Sequence, residues 1–316
     1  MSATIEVQPR NMDLSGGDAT RFAIQTFQLS HRFGKQWAVD HLDLQVPKGS
    51  VFGFLGLNGA GKSTTIRMLM GMLSPTAGWA SVLGLDPVAD DIAIKRRVGY
   101  VPDTPSFYEW MTVEETLAFV AHYRKREWDD TRAAHLLQVF DLPKMQRVGT
   151  LSKGQRAKVA LTLALAFNPD LLLLDEPTLG LDPVARRQFI EGLLAEFMEG
   201  DRTVLISSHL IHEISGIVDH VAILKAGSLV RTQRVDELLA QIKRVRLTYA
   251  DTPPEKIEMP DTIRTQMDGR ELILVLDHFT ETTASQLQQF GASRITIEDL
   301  SLEEAFVELA GRGEVL

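Results

Sequence analysis

A glycine-rich stretch, VFGFLGLNGAGKSTTIRMLM from Val51 to Met70, constrains the fold of this chain more than any other feature. It matches the pattern G-x-x-x-x-G-K-[ST], which begins at Gly56 and ends at Ser63. Glycines permit positive φ and let backbone N–H groups turn inward around phosphate oxygens. A strand-like run precedes the match and a helical pattern follows it, so the positive end of a helix would face the same anion. This context favours a nucleotide-binding P-loop over an accidental glycine-rich turn.

The side chains of this loop indicate how it would hold a nucleotide. Lys62 would place a cation on the β- and γ-phosphates, and the Ser63 hydroxyl would bind Mg²⁺. The residues predicted to contact the nucleotide here are Asn58, Gly59, Ala60, Gly61, Lys62, Ser63 and Thr64.

A continuous apolar run, Leu171–Leu174, predicts a central parallel strand that ends in Asp175 and Glu176. Sheets of α/β proteins bind ligands at the carboxyl ends of their strands. Two adjacent acids there are costly unless a metal or a proton-transfer role stabilises them, although a solvated strand end is the simpler alternative. Beside a P-loop, we predict that Asp175 binds Mg²⁺ and that Glu176 orients and polarises the attacking water.

His209 lies just beyond the next apolar run, Thr203–Ser207. A lone histidine is more often structural than functional. Here, however, two consecutive strands end in Asp-Glu and Ser-Ser-His beside one phosphate site. We therefore predict that His209 senses or stabilises the γ-phosphate.

Two aromatic features leave structural and functional interpretations open. Phe33 lies in a predicted turn, where its spacing alone favours local packing over stacking on an adenine. A second group lies in one loop and consists of Phe107, Tyr108, Trp110 and Met111. These side chains are either buried by their neighbours or exposed as a partner-docking patch.

Two sequences predict capped helices. Thr112 and Glu115 resemble a capping box at the start of a helical region that extends to about Met145. Ser152, in the sequence LSKGQ, is placed to cap a helix over Arg156–Phe167 and to present a hydroxyl at its positive end. Taken alone, the second pattern predicts no more than a capped helix.

Composition limits the possible classes of protein. The net charge is −9, which argues against binding of a nucleic-acid backbone. The absence of cysteine excludes disulfides, thiolate metal sites and cysteine nucleophiles, and it fits a cytoplasmic protein. The most apolar region, Val159–Leu174, is interrupted by Asn168-Pro169-Asp170, and neither half would cross the roughly 30 Å of bilayer hydrocarbon. Residues 1–20 lack a signal-peptide layout, and we expect them to form a flexible polar leader.

The order of predicted elements indicates an α/β nucleotide-binding domain over residues 21–240, with a helical subdomain at about 104–150. The charged run Tyr123–Asp130 carries mixed signs and is predicted to lie on the surface. Composition changes after about residue 241, and residues 241–316 are predicted to form a small α+β domain. Its predicted strands and helices are Val245–Tyr249, Glu271–Leu276, Arg294–Ile297, Thr280–Gln289 and Ser301–Ala310. No catalytic constellation is visible there.

The order of the motifs resembles that of the ATP-binding subunits of ABC transporters over about residues 21–235. It consists of the P-loop, the LSKGQ signature at 151–155, the acidic strand end at 171–176, Leu181-Asp182 and His209. The signature just upstream of the acidic strand is the most specific part. The resemblance implies a P-loop NTPase core of ABC type, with a mixed sheet and flanking helices, a helical subdomain and an antiparallel β subdomain. It also implies a head-to-tail dimer that holds two ATP·Mg²⁺ between the P-loop of one protomer and the signature of the other.

Roles for individual residues also follow from this resemblance. Phe33 matches the aromatic residue that stacks on adenine, which reverses the preference from spacing alone. Ser152 and Gly154, with Gln155, match signature residues that reach the partner's nucleotide, and Asp182 matches the dimer seam. The segment 103–111 matches the region that receives membrane subunits, which favours a docking role for Tyr108 and Trp110. The C-terminal part resembles that of export-type ABC ATPases.

Two positions depart from the family pattern. Asp103 stands where the family usually has glutamine, so it would supply an oxygen to Mg²⁺ or water but add negative charge near the triphosphate. Lys153 replaces the second glycine of the usual LSGGQ, where its cation would either assist phosphate binding or point to solvent. Both substitutions bear on the rate and metal dependence of hydrolysis, whereas ATP binding itself is expected to persist.

The leading hypothesis is therefore that this chain is the ATP-hydrolysing subunit of an ABC transporter, which would power export of an unidentified substrate through separate permease subunits.

ATP would close the dimer of two like or unlike ATP-binding subunits, and the closure would act on the membrane subunits. The chain itself would lie in the cytoplasm, peripheral to the inner face of the cell membrane, and touch the membrane only through its partners.

Two other classes of protein fit the sequence less well. A soluble ABC-type ATPase that acts on nucleic acid or ribosomes would usually carry a second cassette, a long coiled coil or a basic arm, none of which is visible in the sequence. A P-loop kinase or GTPase would leave the signature and His209 unexplained.

Overall fold

The computed structural model describes residues 21–197, 202–254 and 257–311, and the predicted leader at 1–20 lies outside them. In chain order, its strands are β1 Phe22–Phe33, β2 Gln36–Leu42, β3 Gln45–Pro47, β4 Val51–Gly56, β5 Ala77–Val82, β6 Val98–Val101, β7 Leu171–Asp175, β8 Thr203–Ser208, β9 His220–Lys225, β10 Ser228–Arg234, β11 Lys243–Thr248, β12 Thr262–Asp268, β13 Glu271–Leu276 and β14 Arg294–Asp299. Its helices are α1 Lys62–Leu69, α2 Asp91–Arg97, α3 Val113–Tyr123, α4 Asp130–Val139, α5 Lys153–Leu165, α6 Pro183–Phe197, α7 Val235–Gln241, α8 Glu281–Leu287 and α9 Leu302–Ala310.

The central sheet has the strand order β10-β9-β4-β8-β7-β6. Every pairing is parallel except that of β10 with β9, so the sheet is mixed as predicted. Strand β7 shows why its sequence is a continuous apolar run. Leu171 and Leu173 pack into one core layer, whereas Leu172 and Leu174 pack into the layer on the opposite face. Burial on both faces is typical of a central parallel strand.

An antiparallel sheet covers the α1 side of the P-loop. Its order is β2-β1-β3, and β5 also pairs with β1. Strand β1 runs to Phe33, further than the strand predicted over 21–29, because β2 pairs with it up to Phe33 and Gln36. This sheet shares its apolar core layer with α1 and with the α1-facing residues of the central sheet.

The predicted helical region from Thr112 to Met145 forms two helices, α3 and α4, rather than one. The predicted capping box of Thr112 and Glu115 begins α3, and Asp129 caps α4. Between them, the Arg124 guanidinium lies 3.7 Å from the centre of the Phe167 ring. Burial there lowers the pKa of Arg124. The run Tyr123–Asp130 was predicted to lie on the surface, and its residues are exposed apart from Arg124, Glu127 and Trp128, which are half-buried.

The C-terminal sheet is antiparallel, with the order β12-β13-β11-β14. The predicted strand Glu271–Leu276 is confirmed, whereas β12 and the helix α7 were not predicted. The last helix, α9, leaves this sheet and packs on the nucleotide-binding core. Ala305 and Phe306 belong to the same apolar layer as the signature helix α5 and strand β9. The domain boundary at about 240 stays a prediction.

None of the helices within 21–197, 202–254 and 257–311 combines the length and apolar character required to span a bilayer.

Candidate active site

The functional residues meet at the carboxyl ends of three neighbouring strands. Strands β4, β8 and β7 lie side by side in the central sheet and run in the same direction. Lys62 follows β4, Glu176 follows β7, and His209 follows β8. Because parallel strands end at the same edge, the Glu176 side chain lies within contact distance of both Lys62 and His209.

The P-loop bends at Gly61, which begins α1 with φ 104° and ψ 1°. A Cβ at this position would collide with the carbonyl oxygen of Ala38 in β2. No side chain caps α1, and its first turn contains no acidic residue. The N–H groups of that turn lack intrahelical acceptors, so the loop presents donors and a positive helix end to an anion. Of the other predicted contact residues, Asn58 and Gly59 are exposed, Ala60 is buried, and Thr64 is half-buried.

The Lys62 side chain folds back over its own loop and is almost fully buried. Its Nζ donates to the carbonyl oxygen of Gly56 at 2.6 Å and to that of Leu57 at 3.3 Å. It also lies 3.0 Å from Oε1 of Glu176. The ammonium group therefore joins the phosphate-binding loop to the predicted catalytic carboxylate.

Asp175 is fully buried at the end of β7. Its Oδ1 accepts hydrogen bonds from the hydroxyls of Ser63 at 3.0 Å and Ser207 at 2.8 Å. Burial raises the pKa of Asp175, and the negative charges of Asp103 and Glu176 add to this effect, while the two serine hydrogen bonds oppose it.

The second oxygen of Asp175 provides a test of whether a metal fits. Oδ2 is buried and has no hydrogen-bond partner among the described residues. An unpartnered buried carboxylate oxygen beside the Ser63 hydroxyl suits Mg²⁺, which is usually held by one or two carboxylates together with substrate phosphates. No cluster of three or more His, Cys, Asp or Glu suited to a metal occurs in the part of the chain that the structure describes. The donor set around Asp175 and Ser63 thus fits Mg²⁺ shared with a nucleotide.

Glu176 is held from two sides. The Lys62 ammonium lies at Oε1, and Nδ1 of His209 lies 2.8 Å from Oε2. Because a carboxylate accepts, Nδ1 of His209 is the donor and its Nε2 stays available for another partner. Glu176 adopts φ 48°, a left-handed conformation that is strained for a residue with a side chain. A hydrogen bond from its backbone N–H to Oγ of Ser207, 2.9 Å long, supports this turn.

Asp103 lies beyond β6 and is half-buried. The charge of Asp103 raises the pKa of Asp175. Burial raises the pKa of Tyr100 to about 12, and the charges of Asp175 and Asp103 add to this increase. Asp103 is therefore close enough to Asp175 for its charge to act on that carboxyl.

Phe33 is 57% exposed and contacts the ring of His31 edge-on, with 4.6 Å between ring centroids. Its partner in the hairpin is Gln36. Ala38 lies two residues after Gln36 on the same strand, about 7 Å from Gln36. The carbonyl oxygen of Ala38 lies next to Gly61. The exposed ring therefore stands near the mouth of the P-loop.

The signature lies apart from the P-loop of the same chain. Helix α5 packs against β6, three strands away from β4, which is a lateral separation of about 14 Å. Ser152 and Gln155 form a full capping box at the start of α5. The sequence predicted the cap by Ser152 but not the reciprocal hydrogen bond to Gln155. Ser152 is exposed and Gly154 is buried.

The contacts of Lys153, the residue at which the signature departs from the family pattern, and of nearby Asp182 are local. The Lys153 ammonium lies against Gly180, so close that a Cβ on this glycine would collide with it. The side chain therefore lies against the turn before Asp182 and is exposed, as the second of its two predicted orientations, toward solvent, anticipated in part. Asp182 accepts hydrogen bonds from the N–H groups of Val184 at 3.0 Å and Ala185 at 2.9 Å, and so caps α6.

The loop aromatics divide between the two predicted alternatives. Phe107 packs against the core and Met111 is buried. Tyr108 and Trp110 are 55% and 65% exposed. We define the aromatic patch as these two residues with Phe119 and Tyr123, whose rings contact one another in sequence along the surface. The sequence interpretation missed Phe119 and Tyr123, which their spacing of four residues on α3 indicates as neighbours.

Sequence reasoning also missed Ser207, Thr178 and Glu213 near the site. Ser207 binds both Asp175 and the backbone of Glu176, and its position at the end of an apolar strand was an available signal. Glu213 follows His209 by four residues, in the short 3-10 turn Ile211–Glu213.

The mixed sheet, the phosphate-binding loop, the buried carboxylates and the separate signature define a P-loop ATPase of the ABC type. The ABC transporter family model matches residues 39–179. The bacitracin transport ATP-binding protein BcrA of Bacillus licheniformis is 32% identical over 92% of this chain and 98% of that protein. The daunorubicin/doxorubicin resistance ATP-binding protein DrrA of Streptomyces peucetius is 31% identical over 92% of each chain. A solved ATP-binding subunit of an ABC transporter superposes with a TM-score of 0.62 at 28% identity, over 69% of this chain and 92% of that one.

The chain belongs to the family of ABC transporter ATP-binding proteins. It is an ABC-type ATPase that binds ATP, as predicted.

Proposed function

We propose that this ATPase drives export of a substrate through separate membrane subunits, and that Glu176 directs the hydrolytic step. The names of two relatives support the direction of transport, since one refers to daunorubicin/doxorubicin resistance and the other to Nod factor export. The observation that carries the catalytic assignment is the position of Glu176, whose carboxylate lies between the Lys62 ammonium and the His209 imidazole.

The residues around the nucleotide would act in distinct ways. The P-loop N–H groups and Lys62 would bind the phosphates, and Phe33 would stack on the adenine. Glu176 would orient a water and accept its proton, while Nε2 of His209 would contact the γ-phosphate. Lys62 must then exchange its contact with Glu176 for the phosphates, which frees the carboxylate for the water.

Asp175 and Ser63 would hold Mg²⁺, and Asp103 is a further candidate ligand from the next strand. When bound, the metal would neutralise charge on the triphosphate. The buried Oδ2 of Asp175 supports this assignment.

A complete site would require two chains. The separation of the signature from the P-loop supports a head-to-tail dimer in which Ser152, Gly154 and Gln155 reach the nucleotide of the partner, with Asp182 at the seam. Membrane subunits would dock on the aromatic patch, which is exposed and combines large apolar area with hydroxyl and indole donors. The chain would then be cytoplasmic and peripheral to the inner face of the membrane through these partners alone.

The catalytic assignment is tested by Glu176→Gln. The amide keeps the shape but cannot accept the proton of the water, so we expect turnover to fall at least a hundredfold, on the scale typical of general bases. ATP binding is retained because Lys62 loses a competing carboxylate, and the ATP-loaded variant accumulates as a closed dimer. Phosphate release, ATP affinity and molar mass in solution measure the three effects.

Glu191→Gln is the matched control, since this residue pairs with Arg187 on the exposed side of α6. It should leave all three quantities unchanged. Phosphate release by Glu176→Gln at the rate of the parent would refute the proposed role.

A further inference from the structure

A buried carboxylate outside the catalytic set, Glu213, connects the two segments that carry Glu176 and His209. Its side chain is fully shielded from solvent, with an exposed fraction of 0%. The Thr178 hydroxyl donates to its Oε2, and Nη2 of Arg186 lies 2.9 Å from its Oε1.

The partners of Glu213 lie at defined distances along the chain from the proposed catalytic and seam residues. Thr178 follows Glu176 by two residues, and Arg186 follows Asp182 by four. Glu213 itself ends the short 3-10 turn Ile211–Glu213, directly after His209. Arg186 Nη2 also donates to the carbonyl oxygen of Leu181 at 3.4 Å, within the turn before Asp182.

A carboxylate without solvent is costly unless each of its oxygens has a partner. The partners here come from one segment, 176–186, which begins at Glu176, whereas Glu213 comes from the other, 209–213. Any displacement of one segment relative to the other would separate the buried charge from its arginine or its hydroxyl. The contact of His209 with Glu176 spans the same two segments, so both contacts depend on one alignment.

We propose that Glu213 is a positioning residue for ATP hydrolysis. It fixes the segment of His209 against that of Glu176 and couples this alignment to Asp182 at the dimer seam. The inference rests on the proposed function of Glu176 and His209. Glu213 does not touch the P-loop, so its effect falls on turnover and leaves nucleotide binding unchanged.

The test is Glu213→Gln in the full chain, which keeps the side-chain shape and removes the charge that Arg186 requires. The expected result is a kcat at least tenfold lower, with KM for ATP and the affinity for a non-hydrolysable ATP analogue within twofold of the parent. Measurements are made well below the unfolding temperature of the variant. A role limited to fold stability would not separate kcat from KM under these conditions.

Asp277→Asn provides a matched control, because Asp277 forms a similarly buried pair with Arg231 between β10 and the C-terminal sheet. This variant should lower the unfolding temperature and leave kcat unchanged. If Glu213→Gln does not fold, Thr178→Val removes one hydrogen bond while the Arg186 pair remains, and kcat should fall at least threefold with KM unchanged.

A folded Glu213→Gln with the kcat of the parent would overturn the inference, as would a fall in kcat equal to that of Asp277→Asn. In the absence of a folded Glu213→Gln, an unchanged kcat in Thr178→Val would do the same. Glu176→Gln is measured in parallel. If Glu176→Gln retains turnover, the proposed function fails. If Glu176→Gln loses turnover, the kcat of Glu213→Gln, whether lowered or unchanged, decides the positioning role alone.

Discussion

Gly61 has the strictest geometric requirement of any residue in the phosphate-binding loop. It combines φ 104° with close contact to the backbone of Ala38. A side chain here is excluded by both the conformation and the neighbouring strand. Strand β2 therefore fixes the shape of the loop, since moving Ala38 away would open the β1–β2 hairpin that carries Phe33.

Gly61→Ala is expected to lower the free energy of unfolding by about 2–4 kcal/mol, because it adds left-handed strain and an overpacked contact. It should also weaken ATP binding by displacing the first N–H groups of α1. Denaturant unfolding and nucleotide titration measure the two effects. Gly84→Ala is the control, since Gly84 has φ 80° but open space around a built Cβ. It should cost about 1–2 kcal/mol and leave ATP affinity unaltered; equal ATP affinities in the two variants would contradict the expectation for Gly61.

The residues of the site were predictable where each followed an apolar strand or a glycine-rich loop. Asp175, Glu176 and His209 are of this kind, and they lie together as the parallel sheet requires. The pairing of Glu213 with Arg186 was not predictable, since it depends on how α6 and the turn after β8 pack. The orientation of Lys153 toward Gly180 likewise depends on tertiary contacts that no local pattern encodes.

At the scale of elements, α9 joins the C-terminal domain to the catalytic core. Its capping box, Ser301 with Glu304, fixes where it begins. Its apolar face packs against β9, α7 and the turn Ile211–Glu213 that follows His209. Phe306 lies in that face, whereas Val307 points to solvent with 59% exposure.

Phe306→Ala is expected to lower the free energy of unfolding by about 3–5 kcal/mol, because it leaves a cavity in the shared core layer. Val307→Ala, one residue further along, should change it by less than about 0.5 kcal/mol. Chemical denaturation of both variants makes the comparison. A small effect at Phe306 would mean that α9 separates from the core in solution.

Elements with strong local signals were predicted, and those that depend on the rest of the fold were not. Strand β13 is almost wholly apolar and was predicted with its bounds. Strand β12, with the sequence TIRTQMD, has little apolar alternation and is a strand because it pairs with β13 at the edge of the sheet. The docking of α9 was also unpredicted, although its amphipathic sequence indicated that one face would be covered.

At the scale of the whole molecule, the separation of Ser152 from Lys62 determines how a complete site is made. Helix α5 lies beside β6, at the opposite end of the sheet from β10. In the proposed head-to-tail dimer, a second chain would bring its signature to the P-loop of the first around one nucleotide.

Ser152→Asp tests this arrangement, since aspartate caps a helix as well as serine but adds a negative charge. One chain should still bind ATP, while charge repulsion of the partner's phosphate prevents the closed dimer and lowers turnover at least tenfold. Equilibrium binding, molar mass with ATP and phosphate release give the readouts. Thr280→Asp makes the same change in the capping box of α8 and should affect none of them. Dimer formation by Ser152→Asp at the level of the parent would contradict a seam at the signature.

The distance between signature and P-loop also has a genetic consequence. Suppose that one allele encodes a chain with a defective Lys62 and a second allele encodes a chain with a defective Ser152. In the proposed head-to-tail dimer, each protein would be inactive when it pairs with itself, because both of its nucleotide sites would contain a lesion. In a mixed pair, both lesions would fall on the same site and leave the other intact, so we expect the two alleles to complement each other in one cell.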